Sequence, residues 1–399
     1  MAELALFRIR NHAVFSLSKN YKSLILFFFA LFLTLGQFLR LIPLPYFPSH
    51  FSLAEALLYF TALPLYFCKL RKSMWLILGI SLSVLYGTLI HGMDFTSVLY
   101  GVKLLAMIMA GIVIGDVLFQ RYSLDQCLDF LLRIFSIILL LGAILFFVFP
   151  KAHFFFAFLN QYGIHFFGDP HEHRFISPFF DPNYYAAIAC IPLILTWIRK
   201  KRLLFLLFLA SILLTFSRSG IATCLALLLF QMRKLPILLI LGIFISCFYF
   251  HELMVFFERL IHFTEDESAI ARLDTFRSGF QFFWQHPFFG VGYHYLAPLF
   301  FWEFGRLAPD SSLLITLIDF GLIPTLLFAL YGVYWSIRQF QKIRPPYRAL
   351  FFWLYIYLLL TIFFTSQFNN LLYYQYWLIP MIALFTYLNR SQDENRARS

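Results

Sequence analysis

Ser217-Arg218-Ser219-Gly220 interrupts a stretch that is otherwise apolar from residue 213 to residue 230. An arginine is costly to place in hydrocarbon, so by default it marks a functional site or the end of a helix. The planar fork of a guanidinium binds phosphate through two hydrogen bonds, which suits Arg218 to a phosphate group carried by a lipid. The alternative is that Arg218 extends toward the lipid headgroups and only closes a helical hairpin.

The composition places this arginine in a membrane protein. The chain has 399 residues, of which 61% are hydrophobic and 13% are charged, and it contains 55 Phe. Because a soluble fold cannot bury this much apolar surface, we predict an all-α, polytopic integral membrane protein, a single membrane domain over residues 1–399 with about twelve transmembrane helices. The predicted spans lie near 23–42, 51–68, 74–91, 98–119, 128–149, 183–198, 203–216, 220–232, 235–250, 311–335, 349–366 and 372–388.

The distribution of the basic residues predicts the orientation of the chain. Lys and Arg concentrate in short links and at the termini, as at 199–202 (RKKR), Arg233-Lys234 and 338–348. This is the positive-inside pattern, so both termini are predicted to be cytoplasmic, and the net charge of +11 does not indicate nucleic-acid binding. Two longer loops, 150–182 and the large external loop 251–310, are predicted to face outward.

The apolar runs on either side of Arg218 are short. The longer one climbs only ~21 Å, against a hydrocarbon thickness of ~30 Å. We therefore expect the turn to end within the outer leaflet, with Arg218 facing a water-accessible cavity that opens outward.

Four segments resemble, in this order, the bacterial O-antigen ligase and polymerase family of membrane glycosyltransferases. They are 177–186 (SPFFDPNYYA), 215–220 (TFSRSG), 272–292 (RLDTFRSGFQFFWQHPFFGVG) and 310–324 (DSSLLITLIDFGLIP). The resemblance is strongest over 174–335, a region that includes the external loop 251–310.

The resemblance implies a reaction at the outer face of the cytoplasmic membrane. A glycan on a polyprenyl diphosphate is the donor, and it is transferred to the hydroxyl of a glycan acceptor. Polymerases extend another lipid-linked repeat unit, whereas ligases modify a sugar of the lipid A core. The resemblance implies no cofactor and no metal, contact with membrane lipid, and an association with other polysaccharide-assembly proteins.

Three residues match the catalytic positions of this family. Arg218 and Arg272 match its two key arginines, which would stabilise the charge that develops on the departing phosphate. Asp310 matches the position of the acceptor base, where ligases have His. This departure, with Pro324 in place of a final Gly, favours a polymerase. The alternative role for Asp310 is that of a helix N-cap.

The weaker candidates for binding the substrate are Arg174, Asn183, Arg277, His286, Gly290 and Gly292. For Arg174 and Arg277 the alternative is an ordinary solvated charge on a loop, and for His286 it is a role in shaping a turn. Gly290 and Gly292 are expected to allow a tight turn whose N–H groups point outward, toward sugar or phosphate.

Other polar residues admit structural explanations. Lys103, Asp116 and Arg133 lie in or near spans, where an intramembrane ion-pair network is the preferred interpretation, and Asp319 is expected to pair across the cavity. His171-Glu172-His173 lacks a third ligand at a suitable spacing for a metal. A flippase for lipid-linked glycans and a non-enzymatic scaffold remain open alternatives, although we detect no two-half repeat typical of flippases.

Overall fold

The computed structural model describes residues 19–41, 53–67, 74–149, 174–229, 267–304, 309, 311–343, 345–367 and 370–396. Most of the residues in these ranges are helical and none lies in a β-strand, which confirms the predicted all-α class. The α-helices are α1 (Lys19–Leu35), α2 (Leu53–Phe67), α3 (Met74–His91), α4 (Phe95–Arg121), α5 (Leu124–Val148), α6 (Pro182–Ile198), α7 (Arg202–Leu213), α8 (Arg218–Leu229), α9 (Glu267–Gln285), α10 (Leu296–Phe304), α11 (Ser312–Phe320), α12 (Leu322–Lys342), α13 (Pro345–Phe363) and α14 (Gln375–Arg396). The predicted span 235–250 and residues 251–266 of the predicted external loop lie outside the described ranges.

Several helices are long and apolar enough to cross a membrane. They cover Asn20–Leu39, Phe95–Arg121, Leu124–Val148 and Tyr347–Gln367, and a fifth span forms if the bent pair α11 and α12 is counted as one. Helices α6, α7 and α8 are apolar but shorter. The described residues therefore support an integral membrane protein with four or five spans, and the predicted count of about twelve is not confirmed.

Ion pairs hold the basic end of the helix bundle together. Arg199, which follows α6, lies 3.0 Å from Asp129 of α5 and also contacts Asp125. The ammonium of Lys201 is 2.7 Å from the same Asp129 carboxylate. The RKKR link therefore anchors the start of α5 to the end of α6, so these two helices run antiparallel.

Two further ion pairs lie between the helices. Asp116 of α4 is buried and accepts hydrogen bonds of 2.5 and 3.2 Å from Arg390 of α14. Lys103, also on α4, lies 3.4 Å from the buried Glu55 of α2. The predicted pairing of Asp116 and Lys103 is confirmed, each with its own partner, while Arg133 lies exposed on α5.

Helices α7 and α8 form a short hairpin packed against α6. Each contains 12 residues, which corresponds to a length of ~18 Å. A Cβ added to Gly220 would lie 2.3 Å from the Cβ of Ala186, so glycine is needed for the close contact between α8 and α6. The expected shortness of the two runs around Arg218 is confirmed.

The predicted span 311–335 is not one continuous helix, because the helix breaks at Gly321 and the chain changes direction by 120°. Gly321 has a φ of +78°, which ends α11 and starts α12. Backbone groups near the break pair with the loop after α9: Leu322 N–H donates to the Pro287 carbonyl at 2.8 Å, and Val291 N–H donates to the Ile318 carbonyl at 2.9 Å. Irregular backbone at membrane depth is tolerated where protein satisfies it in this way.

The break predicts contrasting effects for two Gly→Ala changes in this region. At Gly321 the added Cβ would lie 2.3 Å from the Phe288 carbonyl oxygen, at a φ unfavourable for alanine. We expect Gly321→Ala to lower the free energy of unfolding by ~1–3 kcal/mol. Gly332 lies inside α12 with nothing within 4 Å of its added Cβ, so Gly332→Ala should be neutral or stabilise by up to ~1 kcal/mol. Thermal unfolding in detergent measures both, and similar effects would contradict the proposed strain.

Candidate functional site

The turn between α7 and α8 presents Arg218 at the start of a helix. Ser217 N–H donates to the Thr215 hydroxyl at 3.1 Å, and Gly220 N–H donates to the Ser217 hydroxyl at 3.3 Å. Phe216 lies in the left-handed region with a φ of +48°. Arg218 is half-buried and is the first residue of α8. Arg218 therefore lies at the N-terminal end of α8, where the helix dipole adds positive potential.

Arg174 ties this turn to α6. Its Nε donates to the Thr215 carbonyl at 2.6 Å, and its Nη2 donates to Asn183 Oδ1 at 3.2 Å. The neighbouring Phe175 N–H donates to the Leu214 carbonyl at 3.0 Å. A solvated loop charge is thus the wrong interpretation of Arg174. The structure brings Arg174, Asn183 and the Arg218 turn into one cluster, in which Arg174 hydrogen-bonds to both the turn and α6.

Asp310 lies outside the described residues, but the neighbouring Ser311 shows which residue caps α11. Ser311 accepts a hydrogen bond from Leu314 N–H at 3.2 Å and is the N-cap of α11. The alternative that Asp310 caps this helix is therefore wrong. The Ser311 hydroxyl also donates to Gln367 Oε1 at 3.0 Å, and the Ser312 hydroxyl donates to Asn370 Oδ1 at 3.3 Å.

Thr365, Gln367 and Asn370 connect the segment beside Asp310 with the helix of Arg218. The hydroxyls of Thr223, on α8, and Thr365 are 2.6 Å apart and buried. Two residues after Thr365, Gln367 accepts the hydrogen bond from Ser311. The second and fourth segments of the family resemblance therefore meet through a short polar bridge.

Helix α9 brings Arg272 toward the same region. A Cβ on Gly279 would lie 3.0 Å from Pro309 and 2.8 Å from Leu314, so α9 packs against the residues on both sides of Asp310. Arg272 lies seven residues before Gly279 and shares its helix face, ~10 Å along the axis. Arg272 is half-buried, whereas Arg277 is exposed and projects from nearly the opposite face. Arg272 thus lies on the face of α9 that packs near position 310, about two turns before that contact, and Arg277 lies on the other face.

The loop containing His286, Gly290 and Gly292 supports the helix break. Gly290 N–H donates to the His286 carbonyl at 3.2 Å, and Gly292 N–H donates to the Asp319 carbonyl at 2.9 Å. The expectation that these N–H groups point outward is wrong, because they are used inside the protein. The His286 ring lies 6.3 Å from the ring of His91. The His286 carbonyl accepts the hydrogen bond that closes the turn, which agrees with the alternative that His286 shapes a turn.

A cavity of about 200 Å³ lies beside these segments, near the end of α4 that is opposite the RKKR link. Its aromatic walls are Tyr100, Tyr184, Tyr293, His294, Tyr373 and Tyr374, and its polar walls are Lys103, Asp319, Asn370 and Gln375. Tyr184 belongs to the first resembling segment, Asp319 to the fourth, and Tyr293 follows the third directly. Residues in or directly after three of the four family segments therefore line one cavity, although these segments are far apart along the chain.

The sequence reasoning missed most of these cavity residues. The run 365–375 (TSQFNNLLYYQ) contains the sequence signal for them, because it places four amides and two tyrosines around the junction of two predicted spans. The sequence gives no signal for His294, which lies between Tyr293 and Tyr295. Its ring stacks on that of Tyr100 at a centroid distance of 3.9 Å. Asp319 accepts a hydrogen bond of 3.2 Å from the His294 backbone N–H, and its pairing with a side chain across the cavity stays a prediction.

Comparison with known proteins supports the assignment of these segments. Residues 203–329 match the sequence model of the family described as O-antigen ligase. No curated protein matches the chain. The matched range contains the Arg218 turn, α9 with Arg272, the 286–292 loop and the position of Asp310.

The Arg174–Asn183 contact predicts an energetic coupling. Arg174→Ala and Asn183→Ala each remove one side of the same charge-assisted hydrogen bond, so each should lower the free energy of unfolding by ~1–3 kcal/mol. The double variant should lose less than the sum, because both changes remove the same contact. Arg277→Ala, at an exposed arginine, should change stability by less than ~0.5 kcal/mol. Additive losses in the double-mutant cycle would show that the contact does not couple the two residues.

Proposed function

We propose that this protein is a membrane glycosyltransferase acting on glycans linked to polyprenyl diphosphate, because residues 203–329 match the sequence model of the family described as O-antigen ligase. More specifically, it polymerises lipid-linked repeat units on the outer face of a bacterial cytoplasmic membrane, with both termini in the cytoplasm. The observation that carries the proposal is the meeting of the Arg218 helix with the residues beside Asp310, through Thr223, Thr365 and Gln367.

The reaction exchanges one bond at the anomeric carbon of the donor sugar. The bond from this carbon to the diphosphate oxygen breaks, and the polyprenyl diphosphate departs with the electron pair. The acceptor hydroxyl oxygen forms the new glycosidic bond and loses its proton to a base. Such a transition state resembles an oxocarbenium ion, as in glycoside hydrolysis.

The arginines are assigned to the departing diphosphate. Negative charge develops on the leaving oxygen, and donors placed there in advance stabilise it. Arg218 supports this role through its place at the first position of α8, where the helix dipole adds positive potential. Arg174 keeps the turn in place through Thr215 and Asn183, and Arg272 supplies the second guanidinium.

Asp310 is assigned as the base that takes the acceptor proton. The capping of α11 by Ser311 supports this assignment, because it removes the need for a structural carboxylate at position 310. Packing of α9 against Pro309 and Leu314 supports the placement of Arg272 and Asp310 at one site.

A ligase is the second candidate, favoured by the description of the matched family. Its acceptor would be a sugar of the lipid A core, whereas the acceptor of a polymerase is another lipid-linked repeat unit. Asp310-Ser311, where ligases have His, supports the polymerase. Deletion of the gene distinguishes them: a ligase mutant accumulates long lipid-linked polymer, and a polymerase mutant accumulates single lipid-linked units.

Arg218→Lys should reproduce the deletion phenotype while the protein remains in the membrane at its normal level. Lysine supplies a point charge but no bidentate fork, so we expect the loss of most activity. Arg272→Lys should behave similarly. Polymer length and the amount of outward-facing lipid-linked units measure the effect. Full activity of Arg218→Ala would leave Arg218 with only a hairpin role, and units trapped inside the membrane would indicate a flippase.

Asp310→Asn should reduce activity by ~10²–10⁴-fold, which is the usual contribution of general-base assistance. Protein level and thermal stability should stay unchanged, because Ser311 caps the helix. Ser311→Ala is the matched variant for the cap and should lower the free energy of unfolding by ~1 kcal/mol. Asp310→His should be more active than Asp310→Asn, since imidazole also accepts a proton. Polymer of wild-type length in Asp310→Asn would exclude proton chemistry at this residue.

A further inference from the structure

Helix α9 leaves a row of large apolar side chains exposed. They recur at helical spacing, and their exposed fractions run from 38% for Phe276 to 65% for Trp284. This apolar stripe consists of Leu273, Phe276, Phe280 and Trp284. Its aromatic rings follow one another, with centroids 6.4 Å apart for Phe276 and Phe280 and 6.3 Å apart for Phe280 and Trp284. A contiguous exposed apolar surface marks a contact with another protein or with a membrane.

The side chains of α9 divide among three faces, each about a third of a turn from the next. Phe282 and Phe283 lie on the buried face and pack in one apolar cluster with residues of α11. The apolar stripe is the second face. The third face is polar and exposed, and it carries Asp274, Gln281 and Gln285. A helix between protein and water needs only two faces, whereas a helix that meets protein, lipid and water needs these three.

The apolar stripe continues into the surface of α12. Phe288 and Phe289, which follow α9, are exposed, and the Phe288 carbonyl accepts a hydrogen bond from Ile323 N–H at 3.1 Å. Ile323 and Leu326 begin a largely exposed apolar surface along α12, the helix that completes the fifth candidate span. Because a spanning helix meets lipid on its exposed side, a stripe continuous with that side fits lipid better than a water-soluble partner.

The residue types of the stripe and its border suit the membrane–water interface. Aromatic side chains, Trp above all, are enriched where the bilayer meets water. Arg277 is exposed at the border between the apolar stripe and the polar face. A guanidinium there reaches the lipid phosphates while its carbon stem lies along the apolar side. An apolar stripe with a basic border is typical of helices that lie in the plane of the interface.

We propose that α9 lies in the membrane interface at the end of the bundle opposite the RKKR link, with its apolar stripe inserted among the phospholipids. The predicted topology makes this the outer leaflet. The contact with lipid rests on the stripe and its continuity with α12, and it is independent of the proposed function. One consequence rests on the proposed function: because Arg272 belongs to the same helix, insertion holds it at the level of the headgroups, where the diphosphate of a lipid-linked glycan lies.

Fluorescence quenching in lipid nanodiscs tests the contact with lipid. A fluorescent amino acid replaces, one at a time, Phe280 and Trp284 of the stripe and Gln281 and Gln285 of the polar face, all of which are exposed. The nanodiscs contain phosphatidylethanolamine, phosphatidylglycerol and a phosphatidylcholine with a doxyl group high on its acyl chain, and acrylamide is the quencher in water. We expect the ratio of doxyl to acrylamide quenching to be ~3-fold or more higher at the stripe positions.

Two results of this measurement overturn the proposal. Similar ratios at all four positions would show that α9 does not lie with one face in lipid. Stronger acrylamide quenching in the stripe would show that water covers it in the isolated protein, as expected for a surface that docks a water-soluble protein.

Phe280→Asp tests whether insertion positions Arg272. A carboxylate in the stripe opposes insertion, and since a misplacement of ~1 Å can cost ~10²-fold in rate, polymer formation should fall by ~10-fold or more. Gln281→Asp is the matched control, because it adds the same charge to the neighbouring position on the polar face, and it should keep wild-type activity. Phe280→Leu should also keep it, since lipid requires only an apolar side chain.

Full activity of a folded Phe280→Asp variant, or loss of activity in Phe280→Leu, overturns the positioning of Arg272 by lipid. If Phe280→Asp does not fold, Trp284→Asp repeats the test at the most exposed position of the stripe.

The two proposals fail separately. A stripe quenched from the lipid, in a protein whose deletion causes no accumulation of lipid-linked glycan, would retain the interfacial helix and reject the glycosyltransferase. Accumulation in the deletion mutant with a stripe quenched from water would retain the glycosyltransferase and reject the interfacial helix.

Discussion

Backbone groups released by a helix break cannot be left unpaired among apolar helices, and this constraint shapes the whole candidate site. At Gly321 the loop 287–292 supplies the missing partners through its carbonyl and N–H groups. At the turn before Arg218, the Thr215 carbonyl receives Arg174 and the Leu214 carbonyl receives Phe175 N–H. Each break is therefore paired with another segment of the chain, residues 287–292 at Gly321 and residues 174–175 at the Arg218 turn, and both segments belong to the candidate site.

This requirement also explains why the glycines in the loop are structural. Gly290 and Gly292 lie close to the backbone of neighbouring elements, where an added Cβ would approach within 2.4 and 2.5 Å of other atoms. Their N–H groups donate to the carbonyls of His286 and Asp319. The two glycines therefore shape the site and offer no N–H group to a ligand. The polar groups left to face the cavity are side chains on the helices around it, including Asp319, Lys103 and Asn370.

The basic residues at the two ends of the helix bundle have different kinds of partner. Arg199 and Lys201 are neutralised by Asp125 and Asp129 at the basic end of the bundle. At the other end, Arg174 donates to the Thr215 carbonyl and to the Asn183 side-chain amide.

The sequence by itself determined the membrane class, the all-α fold and the short helices around Arg218, because hydropathy and helix length depend on local residue types. It also indicated which segments matter, through Arg218, Arg272 and the residues flanking position 310. The break at Gly321 was invisible to hydropathy, since both sides are apolar and only the docking of residues 287–292 makes the break stable. Tertiary structure alone decided that Arg174 supports the Arg218 turn, that Ser311 caps α11, and that Tyr100 and Tyr373 share a cavity with Asp319. The physical reason is that these contacts join helices distant in sequence, whose registers depend on packing across the bundle.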